Sequence, residues 1–314
     1  MIDLSIVIVN WNTLELLRNC LNSLIKNIRS VSLEIFVTDN GSTDGSPKMV
    51  EDEFPNVRLI KNTVNLGFAK ANNQAIKQAQ GRYILLLNSD TLAHDSSIEG
   101  LVAFMEQTPS AGMAGLQLLN EDGSFQNSVA NAPTLLTELT NKSLLRALFP
   151  NRYPGKEFRP QSPIEVESLI GACLMVRAET IKAIGLLDED YFFFFEETDW
   201  CLRAKNAGWK IMFHPNLFLY HLQGKTAAIV PANARIEYWR SRYTFFKKHY
   251  GKTVQISLEV GLMFRLFVDY IFSLIMSLFS RRSRLRFKVY HQIALWHLKG
   301  KPENWGLRNA GKAR

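Results

Sequence analysis

Unbroken apolar runs alternating with helix-spaced ones fill residues 1–119, and they constrain the fold more than any other feature. LSIVIV (4–9) is closed by polar NWNT, and Leu14, Leu17, Leu21, Leu24 and Ile25 then recur at helical spacing. LEIFVTD (33–39), NVRLI (56–60), YILLLNSD (83–90) and AGMAGLQLL (111–119) repeat the strand signature, with helical patterns at 68–79 and 96–107 between them. A strand with no polar face must be covered on both sides. The pattern therefore predicts an α/β fold, a mostly parallel sheet flanked by helices. Polar clusters end several of the strands, which is where open α/β sheets bind ligands.

Residues 120–167 interrupt this rhythm with Asn, Pro, Gly and Arg, as in FPNRYPGKEFRPQSP, and read as an irregular excursion or lid. Regular structure resumes with SLIGACLMVRAETIKAIG (168–185), a strand with a helix behind it, and a further helix is expected from about 197 to 207. Beyond it the chain turns helical and basic: residues 235–314 hold 17 Lys/Arg against 4 Asp/Glu, whereas residues 1–234 hold 20 against 25. Such asymmetry predicts an anionic partner for the tail, and no nucleic-acid motif accompanies it. Cys20, Cys173 and Cys201 lack metal-ligand spacing and read as reduced core thiols, and MIDLSIVIVN does not read as a signal peptide. Both point to a cytoplasmic body.

Three stretches carry candidate chemistry. VTDNGSTDGS (37–46) offers Asp39, Asn40, Ser42 and Asp44 either to a base and ribose or simply to a capped turn. In LLLNSDT (85–91), Asn88, Ser89 and Asp90 suit a hard cation that neutralises a diphosphate, and equally a helix cap. FFFFEETDWCLR (192–203) runs four phenylalanines into Glu196, Glu197 and Asp199. Acids at a helix start are favoured by the dipole alone, and Asp199 with Arg203 has the spacing of an exposed ion pair. A carboxylate beside apolar rings is also how a general base is raised toward working pH.

Taken in order, IVIVNWN, VTDNGSTDGS, NLGFAKANN (65–73), LLLNSD, GACLMVR (171–177) and EETDWCLRAKNAGW (196–209) resemble the family 2 glycosyltransferases of GT-A fold, in their rhamnosyltransferase-like bacterial branch. The resemblance spans residues 4 to about 226. It implies a GT-A catalytic domain over 1–230, with a nucleotide-sugar half at about 1–119 and an acceptor half at about 165–230, followed by a helical extension at 231–314. It also implies that Val9, Asn10, Trp11, Asn12, Asp39, Asn40, Ser42, Asn65, Gly67, Asn72, Asn88 and Ser89 contact the nucleotide-sugar. Asp90 and His221 would hold a divalent cation, Mg²⁺ or Mn²⁺, although Asn88 replaces the first carboxylate of the family's D-x-D motif. Glu197 stands where the family has its base aspartate, with Glu196 and Asp199 beside it. The implied reaction is inverting transfer of a sugar, rhamnose from dTDP-rhamnose, to a lipid-linked or oligosaccharide acceptor in cell-surface polysaccharide synthesis. The rival readings are a nucleotidyltransferase, for which NWNTLELL lacks a triphosphate loop, and a degenerate glycan-binding or scaffold subunit.

Residues 254–279 are long enough to span a bilayer, but Glu259, Arg265 and Asp269 interrupt them. Arg265, Asp269, Ser273 and Ser277 form a polar stripe, and SRRSRLRFK (280–288) follows with dense cations. This suits a helix lying in the interface of an anionic membrane, the inner face of the plasma membrane. The alternatives are packing on the catalytic domain or in a homodimer.

Overall fold

The structure, a computed structural model, describes residues 2–150, 152–156, 158–222 and 231–309, so the domain boundary expected at 230 lies outside the described residues. β1 (Leu4–Asn10) shows why a covered sheet forms. Leu4, Ile6 and Ile8 join the core on one face and Val7 the core on the other, all fully buried. Side chains alternate across a strand, so each face of this apolar run needs its own layer. Burying each such side chain contributes roughly 1.5–3 kcal/mol.

The chain continues through α1 (Leu14–Asn27), β2 (Leu33–Asn40), α2 (Ser46–Glu53), β3 (Arg58–Asn62), α3 (Phe68–Ile76), β4 (Tyr83–Asn88), β5 (Thr91–Ala93), α4 (Ser97–Gln107) and β6 (Ala111–Leu119). Then come β7 (Val129–Ala130), α5 (Leu135–Leu139), α6 (Lys142–Leu148), β8 (Ile164–Glu165), β9 (Ser168–Leu169), β10 (Cys173–Arg177), α7 (Ala178–Ile184), α8 (Glu196–Asn206) and β11 (Lys210–His221). α9 (Pro231–His249), α10 (Lys252–Ser277) and α11 (Arg281–Leu298) follow. The main sheet runs β3-β2-β1-β4-β10-β6-β11-β5, with β8 on β11, and β7 pairs separately with β9. β3, β2, β1 and β4 are parallel, as are β6 and β11. β10 runs antiparallel between β4 and β6. α1 and α4 cover one face, and α3 and α8 the other.

Several expected boundaries shift. The third strand begins at Arg58 because Phe54–Val57 closes a turn, its Val57 N–H donating to the Phe54 carbonyl. The fourth ends at Asn88, and β5 then pairs antiparallel with β11, an element the sequence pattern did not suggest. The span 168–185 holds two strands rather than one. The excursion at 120–167 is not irregular throughout, since it contains β7, α5, α6 and β8.

The Cα traces cluster into two compact units. One comprises Met1–Ala132, Pro154–Glu189 and Glu196–Thr226, and carries the sheet. The other comprises Pro133–Tyr153, Asp190–Phe195 and Ala227–Arg314. Within the second, Gly261 of α10 lies so close to α5 that a Cβ there would stand 2.7 Å from Leu139 Cδ2. Glu138 of α5 pairs with Arg242 of α9 at 3.2 Å, both buried, and Arg265 of α10 donates to the Glu138 carbonyl. The stretch expected as a lid is thus, at residues 133–153, part of a helical assembly.

Candidate active site

Register builds the first wall. Asn10 lies opposite Asp39 on β2, and Val9 lies opposite Asn88 on β4, so three strand ends meet. Asn10 Nδ2 donates to Asp39 Oδ1 at 2.9 Å and to Ser42 Oγ at 3.1 Å, and the Ser42 N–H donates to Asp39 Oδ2 at 2.9 Å. Asp39 is therefore buried and held by both carboxylate oxygens. Asn12, exposed at φ 54°, binds the same turn: its N–H donates to Ser42 Oγ, and its Oδ1 accepts from the Thr43 N–H. Trp11 beside it is half-buried. Ser89 meets the Thr13 hydroxyl at 2.9 Å, and Thr13 donates to Asn10 Oδ1, which links β4's end to β1's.

Asp44 serves the backbone. Its carboxylate accepts from the Leu14 N–H at the start of α1 and from Ser46. Burial pushes its pKa up, but the Ser46 hydroxyl and these amides outweigh that and leave it below the usual carboxylate value. Asn40 reaches the other way, donating to Asn65 Oδ1 and the Gly67 carbonyl and accepting from the Leu66 N–H. That closes the loop ahead of α3, where Gly67 takes φ 86°, a conformation glycine adopts without a Cβ clash. Asn72 on α3 is buried. Its amide donates to the Phe68 carbonyl, while its Oδ1 has no hydrogen-bond partner among the described residues.

At the end of β4, Asp90 Oδ1 stands 3.2 Å from His221 Nε2, and Asn88 Nδ2 stands 3.4 Å from the same nitrogen. His221 arrives at the last position of β11, opposite Thr91 of β5. Its other ring nitrogen, Nδ1, is 2.9 Å from Gln126 Oε1. An amide oxygen only accepts, so Nδ1 is the donor to Gln126, and Nε2 faces Asp90 and Asn88. Gln126 is itself locked, its Nε2 donating to Asn120 Oδ1 at 2.7 Å and to the His221 carbonyl at 2.6 Å. Sequence reasoning missed Gln126, which stands 95 residues from His221 in the stretch read as irregular.

The donor set of carboxylate, imidazole and carboxamide fits a divalent cation. Adjacent ligands of an octahedral ion at roughly 2.0–2.1 Å stand about 3 Å apart, close to the 3.2 Å seen here. A turn of the Asn88 amide presents its oxygen as the third donor. Among the described residues there is no cluster of three or more His, Cys, Asp or Glu side chains that could hold a metal ion.

The third wall is the first turn of α8. Glu197 is half-buried, and its Oε2 is enclosed with no hydrogen-bond partner among the described residues. Burial raises its pKa above the usual carboxylate value, and the backbone amides of Glu197, Thr198 and Gly171 offset this only in part. A Cβ on Gly171 would stand 3.5 Å from Glu197 Cγ, so the side chain lies along this glycine. The neighbouring Ala172 carbonyl accepts from the Asn88 N–H at 3.0 Å. The segment Gly171–Ala172 thus bridges the acid of α8 and the strand end that carries Asn88 and Asp90.

Glu196 and Asp199 are both buried. Asp199 accepts from Arg203 Nε at 2.8 Å, and Arg203 donates onward to the Ile184 and Leu186 carbonyls. The ion pair expected to be exposed is therefore buried on the Asp199 side, because it ties α8 to the end of α7. The rings of Phe194 and Phe195 pack on Tyr238 of α9, and Phe195 also packs on Phe245.

A family model described as "Glycosyl transferase family 2" matches residues 5–185. An N-acetylglucosaminyl-diphospho-decaprenol L-rhamnosyltransferase of Mycobacterium tuberculosis is 29% identical over 235 residues, 70% of this chain and 76% of the relative. The dTDP-rhamnosyl transferase RfbF of Shigella flexneri is 27% identical over 248 residues, 76% of this chain and 77% of the relative. Among solved structures, the mannosyltransferase PcManGT of Pyrobaculum calidifontis, in complex with GDP-Man and Mn²⁺, superposes with a TM-score of 0.54 at 14% identity, covering 95% of this chain and 88% of the other. TarS 1-349 of S. aureus gives 0.51 at 17% identity, over 96% and 93%. The fold is that of the GT-A glycosyltransferases.

Proposed function

The chain belongs to glycosyl transferase family 2, and from that premise we propose that it is an inverting, cation-assisted enzyme. It moves rhamnose from dTDP-rhamnose to a hydroxyl of a lipid-linked glycan in cell-surface polysaccharide synthesis. The relatives named for rhamnosyl transfer support the sugar, and the diphospho-decaprenol in one of their names supports the acceptor class. The observation that carries the mechanism is the bridge at Gly171–Ala172, which joins Glu197 to Asn88 beside Asp90 and His221.

In this reading Asp39, oriented by Asn10 and Ser42, takes the base, and Val9, Trp11, Asn12, Asn40, Asn65, Gly67, Asn72 and Ser89 line the donor site. Asp90, His221 and Asn88 would hold a divalent cation, which when bound neutralises the diphosphate and makes it a better leaving group. An imidazole in the set favours Mn²⁺ over Mg²⁺, which prefers oxygen ligands. Glu197 accepts the acceptor's hydroxyl proton as that oxygen bonds to the anomeric carbon. The bond from this carbon to the diphosphate oxygen breaks on the opposite face, so configuration inverts. Glu196 and Asp199 act as neighbours that fix the helix start.

The reading extends to the membrane. Among the described residues α10 is the one helix long and apolar enough to cross a bilayer by length and composition. Its Leu258, Leu262 and Leu266 are buried together with Ser273 of the expected polar stripe. Beside the accessible Arg265 and Asp269, the outward face includes Val260, Phe264, Phe267, Ile271, Phe272 and Ile275, each 39–70% exposed. A soluble helix presents the reverse pattern, and an uncovered apolar face of this size marks an interaction site. With Arg281, Arg282, Arg284, Arg286 and Lys288 following in α11, an anionic membrane surface suits it.

The test is transfer from dTDP-rhamnose to a polyprenyl-diphospho-sugar acceptor, with the anomeric configuration of the product read by NMR. Inversion is expected, with Mn²⁺ supporting more turnover than Mg²⁺. Asp90→Asn should remove the cation dependence of donor binding, and Asp39→Ala should weaken binding with or without cation. Gln126→Leu, which releases the His221 ring, should cost ~10–100-fold in cation affinity. Retention of configuration, or donor affinity unmoved in the two aspartate variants, would sink the assignment.

A further inference from the structure

Gln117 is out of place on β6. Every other residue of AGMAGLQLL (111–119) is apolar or glycine, the strand is buried along its whole length, and Gln117 itself is 4% exposed. A carboxamide in such a place is tolerated only when its polar atoms find partners. Its Nε2 has three acceptors within reach, the Leu118 carbonyl at 2.7 Å and the Gln126 carbonyl and Ser128 Oγ at 3.0 Å each. Ser128 is buried too, and its Oγ accepts from the Leu118 N–H at 2.8 Å. The Gln126 N–H donates in turn to the Leu118 carbonyl at 2.9 Å. Both backbone polar groups of Gln126 are therefore tied to β6, one of them by the Gln117 side chain.

The same strand sets the place of His221. β6 pairs parallel with β11, Leu118 opposite Leu219 and Leu119 opposite Tyr220, so the strand that fixes the Gln126 backbone also fixes the residue before the histidine. Between the two, Gln126 Oε1 meets His221 Nδ1 at 2.9 Å, and Gln126 Nε2 donates to the His221 carbonyl at 2.6 Å. All of these residues lie in the sheet-bearing unit. Local structure alone anchors Gln126 poorly. β7, which begins three residues later, is two residues long and pairs with the equally short β9 apart from the main sheet, and a short two-stranded pairing is marginal by itself. The Gln117 amide and the Ser128 hydroxyl join this stretch to the main sheet. An apolar side chain would suit β6 better at 117, and such local rules are broken chiefly where function requires it.

We infer that Gln117 and Ser128 are positioning residues for the cation site: by fixing the backbone of Gln126 they set the contact that aims His221 Nε2 at Asp90 and Asn88. This role rests on Asp90, Asn88 and His221 holding a divalent cation. It extends the site to a buried strand residue that touches none of the three ligands.

The probe is Mn²⁺, its binding to the full-length chain followed with dTDP present by loss of the free ion's EPR signal. Gln126→Leu removes the direct contact with His221 and should cost ~10–100-fold in cation affinity. Gln117→Leu and Ser128→Ala act one step further out, so each should weaken Mn²⁺ binding by roughly 3–30-fold while the dTDP Kd measured without cation moves less than about twofold. A residue that works through Gln126 adds nothing once Gln126 is gone, so Gln117→Leu placed on Gln126→Leu should shift the Mn²⁺ Kd by less than about twofold. An unchanged Mn²⁺ Kd in both Gln117→Leu and Ser128→Ala would overturn the positioning role. So would an equal loss with and without Gln126, the mark of general loosening. Should Gln117→Leu fail to fold, Ser128→Ala carries the same two comparisons. Asp90→Asn keeps the two readings apart. If it binds Mn²⁺ as the parent does, the cation site itself fails and the positioning role falls with it; weakened binding in Asp90→Asn beside parental binding in Gln117→Leu and Ser128→Ala would overturn the positioning role alone.

Discussion

Glu197 is a residue that folding alone does not favour. One carboxylate oxygen is enclosed without a partner, and burial raises the pKa of the group. A carboxyl whose folded pKa is raised contributes most to stability below its unfolded value, about 4.3, and loses that contribution as pH rises through the folded value. Glu197→Gln cannot ionise, so its melting temperature should exceed that of the parent at pH 7, with the gap shrinking toward zero as pH falls to about 4. Thermal melts of both proteins across that range check this, and a gap that does not vary with pH would contradict it. Asp39, Asp90, His221 and Glu197 each sit in a short motif at or near an element end, and sequence reasoning singled them out on those motifs and the family resemblance. Gln126 was not singled out. It stands in an irregular stretch with no local pattern, and only the pairing of β6 with β11 brings it to His221. Asp199 and Arg203 were legible as a pair from their spacing, but their burial was not, because it depends on carbonyls at the end of α7.

At the scale of elements, apolar runs and helical periodicity gave β1, β2, β4, β6 and most helices to within a few residues. The antiparallel insertion of β10 left no local trace, since a strand buried on both faces reads alike in either direction. α5 and α6 were hidden by the Pro- and Asn-rich residues around them. α10 was legible as a helix with an uncovered apolar face; of its polar stripe Arg265 and Asp269 are accessible, whereas Ser273 is buried, as are Leu258, Leu262 and Leu266. That uncovered face makes a prediction. The full chain should sediment with vesicles of anionic phospholipid and not with neutral ones, and salt should weaken binding. Each basic residue near such a surface contributes ~1 kcal/mol, so reversing Arg281, Arg282 and Arg284 to Glu should lower vesicle affinity by more than a hundredfold. Equal binding of the two proteins would point instead to a partner copy or another protein on this face.

For the whole molecule, the sheet-bearing unit carries Asp39, Asp90, His221 and Glu197, and the helical unit carries the apolar and basic surfaces. The basic helical tail was visible from composition alone. That residues 133–153 and 190–195 belong with it was not, because membership is decided by contacts such as Glu138 with Arg242 and Phe193 with Ser241, far apart in the chain. The central claim is that Glu197 takes the acceptor's proton. Its most direct measurement is the steady-state kcat for dTDP release by Glu197→Gln with a lipid-linked acceptor, alongside the donor Kd. Loss of a general base is worth ~10²–10⁴ in rate, so kcat should fall by that factor while the donor Kd moves less than about twofold. Near-normal turnover in Glu197→Gln would contradict the account, and a collapse in Asp199→Asn instead would move the base to Asp199.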